Sequence, residues 1–164
     1  LIKLGRIKTI LELGTYIGVS TLFFAEAVGE KAKVTTVEFG KEFYDIACEN
    51  FARNGYKDKI DIRLGCAAET LSNFAKEGRV FDLVFLDAAK DRYGEMFENA
   101  LACVNEGGLL LVDDVFMNGD SLNLDSYSEK GEGVQDLLKK ASKLSNDFSR
   151  VILPIGNGLL LIYK

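Results

Sequence analysis

Asp87, Lys90, Asp113 and Asp114 are the residues of this chain best placed to do chemistry. Asp87 ends one long apolar run, and Asp113 and Asp114 end a second. Uninterrupted apolar runs are typical of buried parallel strands, whose carboxyl ends form the ligand-binding edge of an open α/β sheet. Carboxylate oxygens are the ligands that a hard cation prefers, and the Lys90 amine can carry a proton. The sequence therefore predicts an enzyme site in which a cation and an amine share one crevice.

A glycine-containing turn lies earlier in the chain, where residues 12–20 read Glu-Leu-Gly-Thr-Tyr-Ile-Gly-Val-Ser. Glycines let the backbone turn sharply and approach a ligand closely. The spacing is G-x-x-x-G, without the G-x-G-x-x-G of dinucleotide binders, so a pyrophosphate is not strongly implied. Glu38 follows Gly18 by 20 residues, the offset at which an acid meets ribose hydroxyls in nucleotide-binding sheets. Together these features predict a site for an adenosine-type ligand.

Each feature also has a purely structural explanation. The glycines could belong to an ordinary strand-to-helix turn, and Glu38 alone could be a solvated strand end. Asp91, Asp113 and Asp114 could likewise be solvated acids or residues at a helix start. These alternatives lose weight because the acids and the glycine turn are expected at the same edge of one sheet.

The composition narrows the function classes. The chain of 164 residues has the length of one domain and a formal charge of −5, so no overall positive field favours nucleic acid or an anionic membrane. It contains no histidine, so proton transfer falls to Lys, Asp, Glu, Tyr or Cys, and any metal should be hard. The three cysteines favour free thiols in a reducing compartment. Without a membrane-length apolar run or a signal segment, we expect a cytoplasmic protein.

Apolar runs and helical patterns alternate along the chain, which predicts βαβ units. The predicted strands are 9–13, 34–38, 60–64, 81–87 and 109–113, and the predicted helices are 20–28, 42–54, 68–76, 92–105 and 134–141. We interpret Gly107-Gly108 as the end of the fourth helix and residues 116–133 as a long loop. The runs 150–153 and 159–163 predict a hairpin. We expect one α/β domain over residues 1–164, with a mostly parallel sheet, an antiparallel C-terminal edge and helices on both faces.

These segments resemble the cation-dependent S-adenosylmethionine O-methyltransferases of the catechol and caffeoyl-coenzyme A type. The resemblance runs from about residue 7 to residue 164, and its most specific part is Asp-Ala-Ala-Lys-Asp-Arg-Tyr at 87–93. The other matching segments are 12–20, 107–108, 113–115 and 153–158. The resemblance implies a Rossmann-like class I methyltransferase sheet, with S-adenosylmethionine and Mg²⁺ or another hard divalent cation as cofactors. It implies methyl transfer to a hydroxyl of a small phenolic or catechol-like substrate.

The resemblance also implies roles for single residues. Positions matching Gly14, Tyr16, Gly18 and Ser20 surround the methionine part of the cofactor, Glu38 holds the ribose, Ala67 and Ala68 pass near the adenine, and Glu12 and Asp87 complete the cofactor set. Asp87, Asp113 and Asp114 would bind the cation, with Lys90 and Asp87 as the catalytic residues. Because a bound cation lowers the pKa of a hydroxyl, we expect Lys90, itself with a depressed pKa, to accept the proton.

Two departures from the family pattern affect this interpretation. Asp114 stands where the family usually has Asn, and its extra negative charge leaves the identity of the cation open. The chain also starts at Leu1 without an initiator Met, so we expect an upstream segment, which in the family is helical and covers part of the cofactor and substrate sites. The acceptor is therefore the least determined feature.

Two other functions stay open, and the chain could form a homodimer. The same chemistry could act on hydroxyuridine in tRNA, although the acidic balance and the lack of a Lys/Arg cluster near residues 116–133 argue against nucleic acid. The domain could also bind the cofactor without catalysing a reaction.

Overall fold

The sheet is mostly parallel, as predicted. A computed structural model describes residues 1–30 and 32–164. Across these residues the chain forms a seven-stranded sheet of order β3-β2-β1-β4-β5-β7-β6, in which β7 runs antiparallel to its two neighbours, β5 and β6. The strands are β1 (Thr9–Leu13), β2 (Lys33–Glu38), β3 (Ile60–Leu64), β4 (Phe81–Leu86), β5 (Val104–Val112), β6 (Ser149–Leu153) and β7 (Leu159–Tyr163). The helices are α1 (Val19–Ala27), α2 (Lys41–Arg53), α3 (Ala67–Lys76), α4 (Tyr93–Ala102) and α5 (Glu129–Ser142). The prediction of a mostly parallel sheet with a C-terminal hairpin is confirmed.

The predicted boundary between α4 and β5 is wrong. The helix ends at Ala102, and β5 already begins at Val104, which pairs with Phe81 of β4. Gly107 and Gly108 lie inside the strand, where the register shifts and Gly107 has a φ of +76°. The two glycines therefore form an irregularity within β5 and do not separate the strand from the helix. The φ of Gly107 is one that only glycine adopts without strain.

The predicted loop 116–133 is also shorter than expected. A 3₁₀ segment occupies Met117–Leu122, and α5 begins at Glu129. The side chain of Ser128 caps the helix by accepting a hydrogen bond from the Gly131 amide at 3.0 Å. Buried Asp120 in turn accepts hydrogen bonds from Ser128 Oγ and from the Tyr127 amide. Polar capping contacts define the start of α5 at Glu129. The apolar pattern begins only at Val134, so a prediction from that pattern omits the first turn of the helix.

Helices cover both faces of the sheet. Leu71 of α3, Phe97 of α4 and Leu137 of α5 are buried on one face. Ala25 of α1 and Phe51 of α2 are buried on the other. Because each fully buried Leu or Phe contributes about 1.5–3 kcal/mol, the two layers hold the central strands firmly in place.

The central strands end level with one another. Leu13 of β1 pairs with Leu86 of β4, and Leu86 pairs with Val112 of β5. Backbone pairing continues one residue further, since the Asp87 amide donates to Leu13 O at 2.9 Å and the Asp113 amide donates to Leu86 O at 3.0 Å. The backbones of both acids are therefore fixed on the sheet, at its carboxyl edge.

Among the described residues, no helix combines the length and the apolar character needed to cross a membrane.

Candidate functional site

A cavity of about 660 Å³ opens at the carboxyl edge of the sheet. Its walls are the turn after β1, the end of β2, the turn after β3 and the turn after β4. The lining residues are Gly14, Thr15, Tyr16, Ile17, Val19, Ser20, Val37, Glu38, Phe39, Cys66, Ala67, Ala68, Asp87, Ala88, Ala89, Arg92 and Met96. The structure thus brings together seven of the nine residues predicted to bind the cofactor; Glu12 and Gly18 are not in the lining.

Gly14 and Gly18 of the first turn have different structural roles. Gly14 has a φ of +100°, and a Cβ there would lie 1.9 Å from the carbonyl oxygen of Asp87. Only glycine therefore lets the turn after β1 pass against the turn after β4. Gly18 has a φ of +86°, and its Cβ would lie 2.4 Å from the Phe51 ring. Gly18 allows α1 to begin close against α2, so its contribution is to the packing behind the cavity.

The Glu38 carboxylate holds the glycine turn in place. Its Oε2 accepts hydrogen bonds from the amides of Thr15 at 3.2 Å and Tyr16 at 2.7 Å, and its Oε1 accepts one from the Gly40 amide at 2.7 Å. Tyr16 has a φ of +51°, which points its amide at this carboxylate. Since a carboxylate offers about four acceptor positions, about one position remains for a ligand hydroxyl.

Glu12 lies behind the turn, wholly buried. Its carboxyl accepts hydrogen bonds from the hydroxyls of Ser20 at 2.5 Å and Thr36 at 2.7 Å, and from that of Thr21. Burial raises the pKa of Glu12 to about 7, although the three hydroxyls lower it. The carboxyl thus ties β1 and β2 to the start of α1, and its role as a cofactor contact stays a prediction.

The acidic residues meet around one ammonium group. Lys90 Nζ contacts the carboxylate of Asp87 and lies 3.1 Å from Asp114 Oδ2. The neighbouring Asp113 accepts a hydrogen bond from the Asp114 amide at 2.8 Å. Asp114 has a φ of +60°, a left-handed conformation that Asp tolerates better than most residues. The turn after β4 therefore delivers Lys90 to the acids at the ends of β4 and β5.

We call Asp87, Lys90, Asp113 and Asp114 the acidic group. Burial and the charges of its members set the pKa values of Asp113 and Lys90. Burial raises the pKa of Asp113, and the negative charges of Asp87 and Asp114 raise it further. For Lys90, burial lowers the pKa, but hydrogen bonds and charge from Asp87 and Asp114 outweigh it, so the pKa is raised. The prediction of a depressed Lys90 pKa is wrong for this arrangement, because two carboxylates contact the amine directly.

Tyr93 closes the base of this acidic group. Its hydroxyl donates to Leu86 O at 3.1 Å, and its ring is buried 5.6 Å from Lys90 Nζ. Burial and then the charges of the three aspartates raise the pKa of Tyr93 well above its usual value. Tyr93 consequently remains a neutral phenol near neutral pH.

The donor chemistry of the acidic group suits a hard divalent cation. Three carboxylates and one ammonium leave a net charge of −2, and carboxylate oxygens are the ligands that Mg²⁺ prefers. Over residues 1–30 and 32–164, however, three or more Asp, Glu, Cys or His side chains are nowhere gathered as a ready set of metal ligands. The side-chain oxygens of Asp87 and Asp114 face Lys90 instead.

Sequence reasoning missed the Arg92–Cys66 side of the cavity. Arg92 Nη1 donates to Cys66 Sγ at 3.1 Å, which joins the turn after β4 to the turn after β3. The same guanidinium forms an ion pair with Glu95 at 2.8 Å. Arg92 lies within the segment 87–93, and Cys66 directly precedes Ala67. Their positions beside predicted site residues were thus the only sequence signal that could have placed them in the cavity wall.

A family model and named relatives match most or all of this chain. A family model described as O-methyltransferase matches residues 1–164. A protein named catechol O-methyltransferase from Niastella koreensis is 34% identical over 136 residues, which cover 82% of this chain and 62% of that protein. Tricin synthase 2 from Oryza sativa subsp. japonica is 32% identical over 171 residues, covering 98% and 58%. The chain thus spans about three fifths of the length of these two relatives.

Solved structures share the fold across almost the whole chain. An O-methyltransferase from Bacillus cereus in complex with SAH has a TM-score of 0.90 and 26% identity, covering 99% of this chain and 76% of that one. TomG from Streptomyces achromogenes, an O-methyltransferase in complex with SAM, gives the same TM-score and identity and covers 99% and 75%.

Proposed function

Because this chain belongs to the O-methyltransferase family, we propose that it transfers a methyl group from S-adenosylmethionine to a hydroxyl of a small catechol-like acceptor. The observation that carries the proposal is the position of Asp87. It lines the cavity and also contacts Lys90 in the acidic group. A donor bound in the cavity and an acceptor bound at the acidic group would therefore be neighbours.

The cavity suits S-adenosylmethionine in size and in lining. Its volume of about 660 Å³ lies within the range of roughly 300–1,000 Å³ that is usual for small-molecule sites. The turn at Gly14 and Tyr16 would hold the methionine part, and the free acceptor position of Glu38 would hold a ribose hydroxyl. Ala67 and Ala68 offer a small apolar wall for the base. When bound, the cofactor supplies a methyl group activated by a positive sulfonium.

The acidic group suits the acceptor. Asp87, Asp113 and Asp114 would hold Mg²⁺ or a similar cation. When bound there, the cation would lower the pKa of an acceptor hydroxyl. The protein itself supplies a fixed backbone under Asp87 and Asp113 and an amine, Lys90 Nζ, that can hold or release a proton beside them. While Asp87 and Asp114 both contact it, their charge favours the ammonium form.

The proposal is tested by incubating the full-length protein with S-adenosylmethionine, Mg²⁺ and a panel of catechols, and by measuring methylated product with S-adenosylhomocysteine. We expect transfer to vicinal diols, and a loss of at least about a hundredfold in kcat/KM for Asp113→Ala and on chelation. Asp147→Ala, in the exposed turn before β6, is the matched control. Absence of transfer to every acceptor would overturn the activity. Undiminished turnover after both chelation and Asp113→Ala would remove the cation from it.

A further inference from the structure

Lys90 lies where a cation would have to make its contacts. Its ammonium touches Asp87 and is 3.1 Å from Asp114 Oδ2. Its side chain is only 14% exposed, against 35% and 36% for the two carboxylates. The amine thus faces inward, toward two of the three carboxylates that the proposed function assigns to a metal.

The backbone beneath Lys90 has little room to move. Lys90 belongs to the 3₁₀ turn Lys90–Arg92, against which α5 packs through Gly133. A Cβ on Gly133 would lie 2.3 Å from the Lys90 carbonyl oxygen. A change in the contacts of the ammonium therefore comes from rotation of side chains and not from movement of the Lys90 backbone.

We propose that the Lys90 ammonium competes with the divalent cation for the carboxylates of Asp87 and Asp114, and so sets the affinity of the cation site. This inference rests on the proposed function, since it takes the same acids as ligands. An oxygen that accepts a hydrogen bond from an ammonium has a lone pair fewer for a metal, and two positive charges a few ångströms apart repel one another. The ammonium contacts Asp87 Oδ1 and Asp114 Oδ2, so a cation that uses either of these oxygens must displace the amine from it. Lys90 thereby compensates part of the acids' charge before the cation arrives and weakens cation binding.

The competition is tested by Mn²⁺ titration, followed by calorimetry and by the electron paramagnetic resonance of free Mn²⁺, with no acceptor present. We expect Lys90→Met to bind Mn²⁺ at least about tenfold more tightly than the unaltered protein, because a positive charge next to the metal is removed. Lys90→Arg keeps that charge and should not tighten binding. Lys76→Met, at the exposed end of α3, makes the same change in net charge at the opposite edge of the sheet and is the matched control.

The outcomes separate this inference from the proposed function. Equal or weaker Mn²⁺ binding by Lys90→Met overturns the competition, as does equal tightening by Lys76→Met. Lys90→Gln repeats the measurement if circular dichroism shows that Lys90→Met is unfolded. Tighter binding by the variant supports the competition even if no methyl transfer is found, in which case only the proposed activity fails. If no form of the protein binds Mn²⁺ while methyl transfer survives chelation, the competition falls and the activity stands.

Discussion

The buried carboxyl of Glu12 makes the stability of this fold depend on pH in a predictable direction. Its pKa rises from the ordinary 4.5 to about 7 in the folded protein, because burial disfavours the charged form. Between these values the folded state retains a proton that the unfolded state has lost, so the stability of the fold falls as pH increases. At about 1.4 kcal/mol per pKa unit, the full cost of charging Glu12 is about 3 kcal/mol, reached above pH 7.

The substitution that isolates this effect is Glu12→Gln, which keeps the side-chain shape and removes the charge. Gln can still exchange hydrogen bonds with Ser20, Thr21 and Thr36, because hydroxyls can rotate to donate or accept. The free energy of unfolding is measured by urea titration at intervals from pH 5.5 to 8 for both proteins. We expect the wild-type protein to lose about 2 kcal/mol relative to Glu12→Gln over this interval.

A matched variant controls for a general charge effect. Glu26→Gln removes an exposed carboxylate from α1, the helix that contains Ser20 and Thr21. Its stability profile should run parallel to that of the wild-type protein. The reasoning is refuted if the stability difference between Glu12→Gln and wild type is the same at pH 5.5 and pH 8, since Glu12 would then not titrate in that interval.

Three further substitutions test the construction of the site. Glu38→Ala should weaken S-adenosylhomocysteine binding by about 1.5–3 kcal/mol in calorimetry, through lost hydrogen bonds, and unchanged affinity would exclude Glu38 from the site. Gly14→Ala should lower the free energy of unfolding by more than about 3 kcal/mol. Gly29→Ala is the control and should change it little, because the space around its Cβ is open. Equal effects of the two substitutions would contradict the argument that a Cβ at position 14 collides with the Asp87 carbonyl. Gly133→Ala should reduce kcat at least about tenfold by displacing the turn that bears Lys90, and unaltered kcat in a folded variant would show that this turn tolerates the shift.

Much of the sheet and of its functional edge could be predicted because the relevant signals are local. An apolar run followed by an acid identifies the ends of β4 and β5, and parallel strands necessarily bring those ends together. The start of α5 could not be predicted in this way, because Asp120 and Ser128 cap it through polar contacts with no apolar period. The strand character of Val104 was hidden for a related reason. It depends on pairing with Phe81, a contact between distant parts of the chain.

The contacts among the site residues were harder to predict than the identity of those residues. The sequence places Lys90 near Asp87, but its raised pKa comes from direct contacts with Asp87 and with Asp114, and Asp114 approaches from another strand end. Glu12 and Glu38 illustrate the same limit. Both are acids of the first two strands, yet one binds hydroxyls in the interior and the other binds backbone amides at the cavity wall. Only the packing of the surrounding turns distinguishes them.

The turn after β4 makes the cavity and the acidic group parts of one rigid unit. Its first residue, Asp87, presents a carbonyl oxygen to Gly14 on the cavity side and a carboxylate to Lys90 on the acidic side. The Asp87 amide is paired with β1, and α5 closes on the turn through Gly133. Direct transfer of a methyl group requires fixed distance and alignment between donor and acceptor far more than it requires chemistry from the protein. For the proposed methyl transfer, a single short turn that is held from three sides would provide that alignment more accurately than two separately supported loops could.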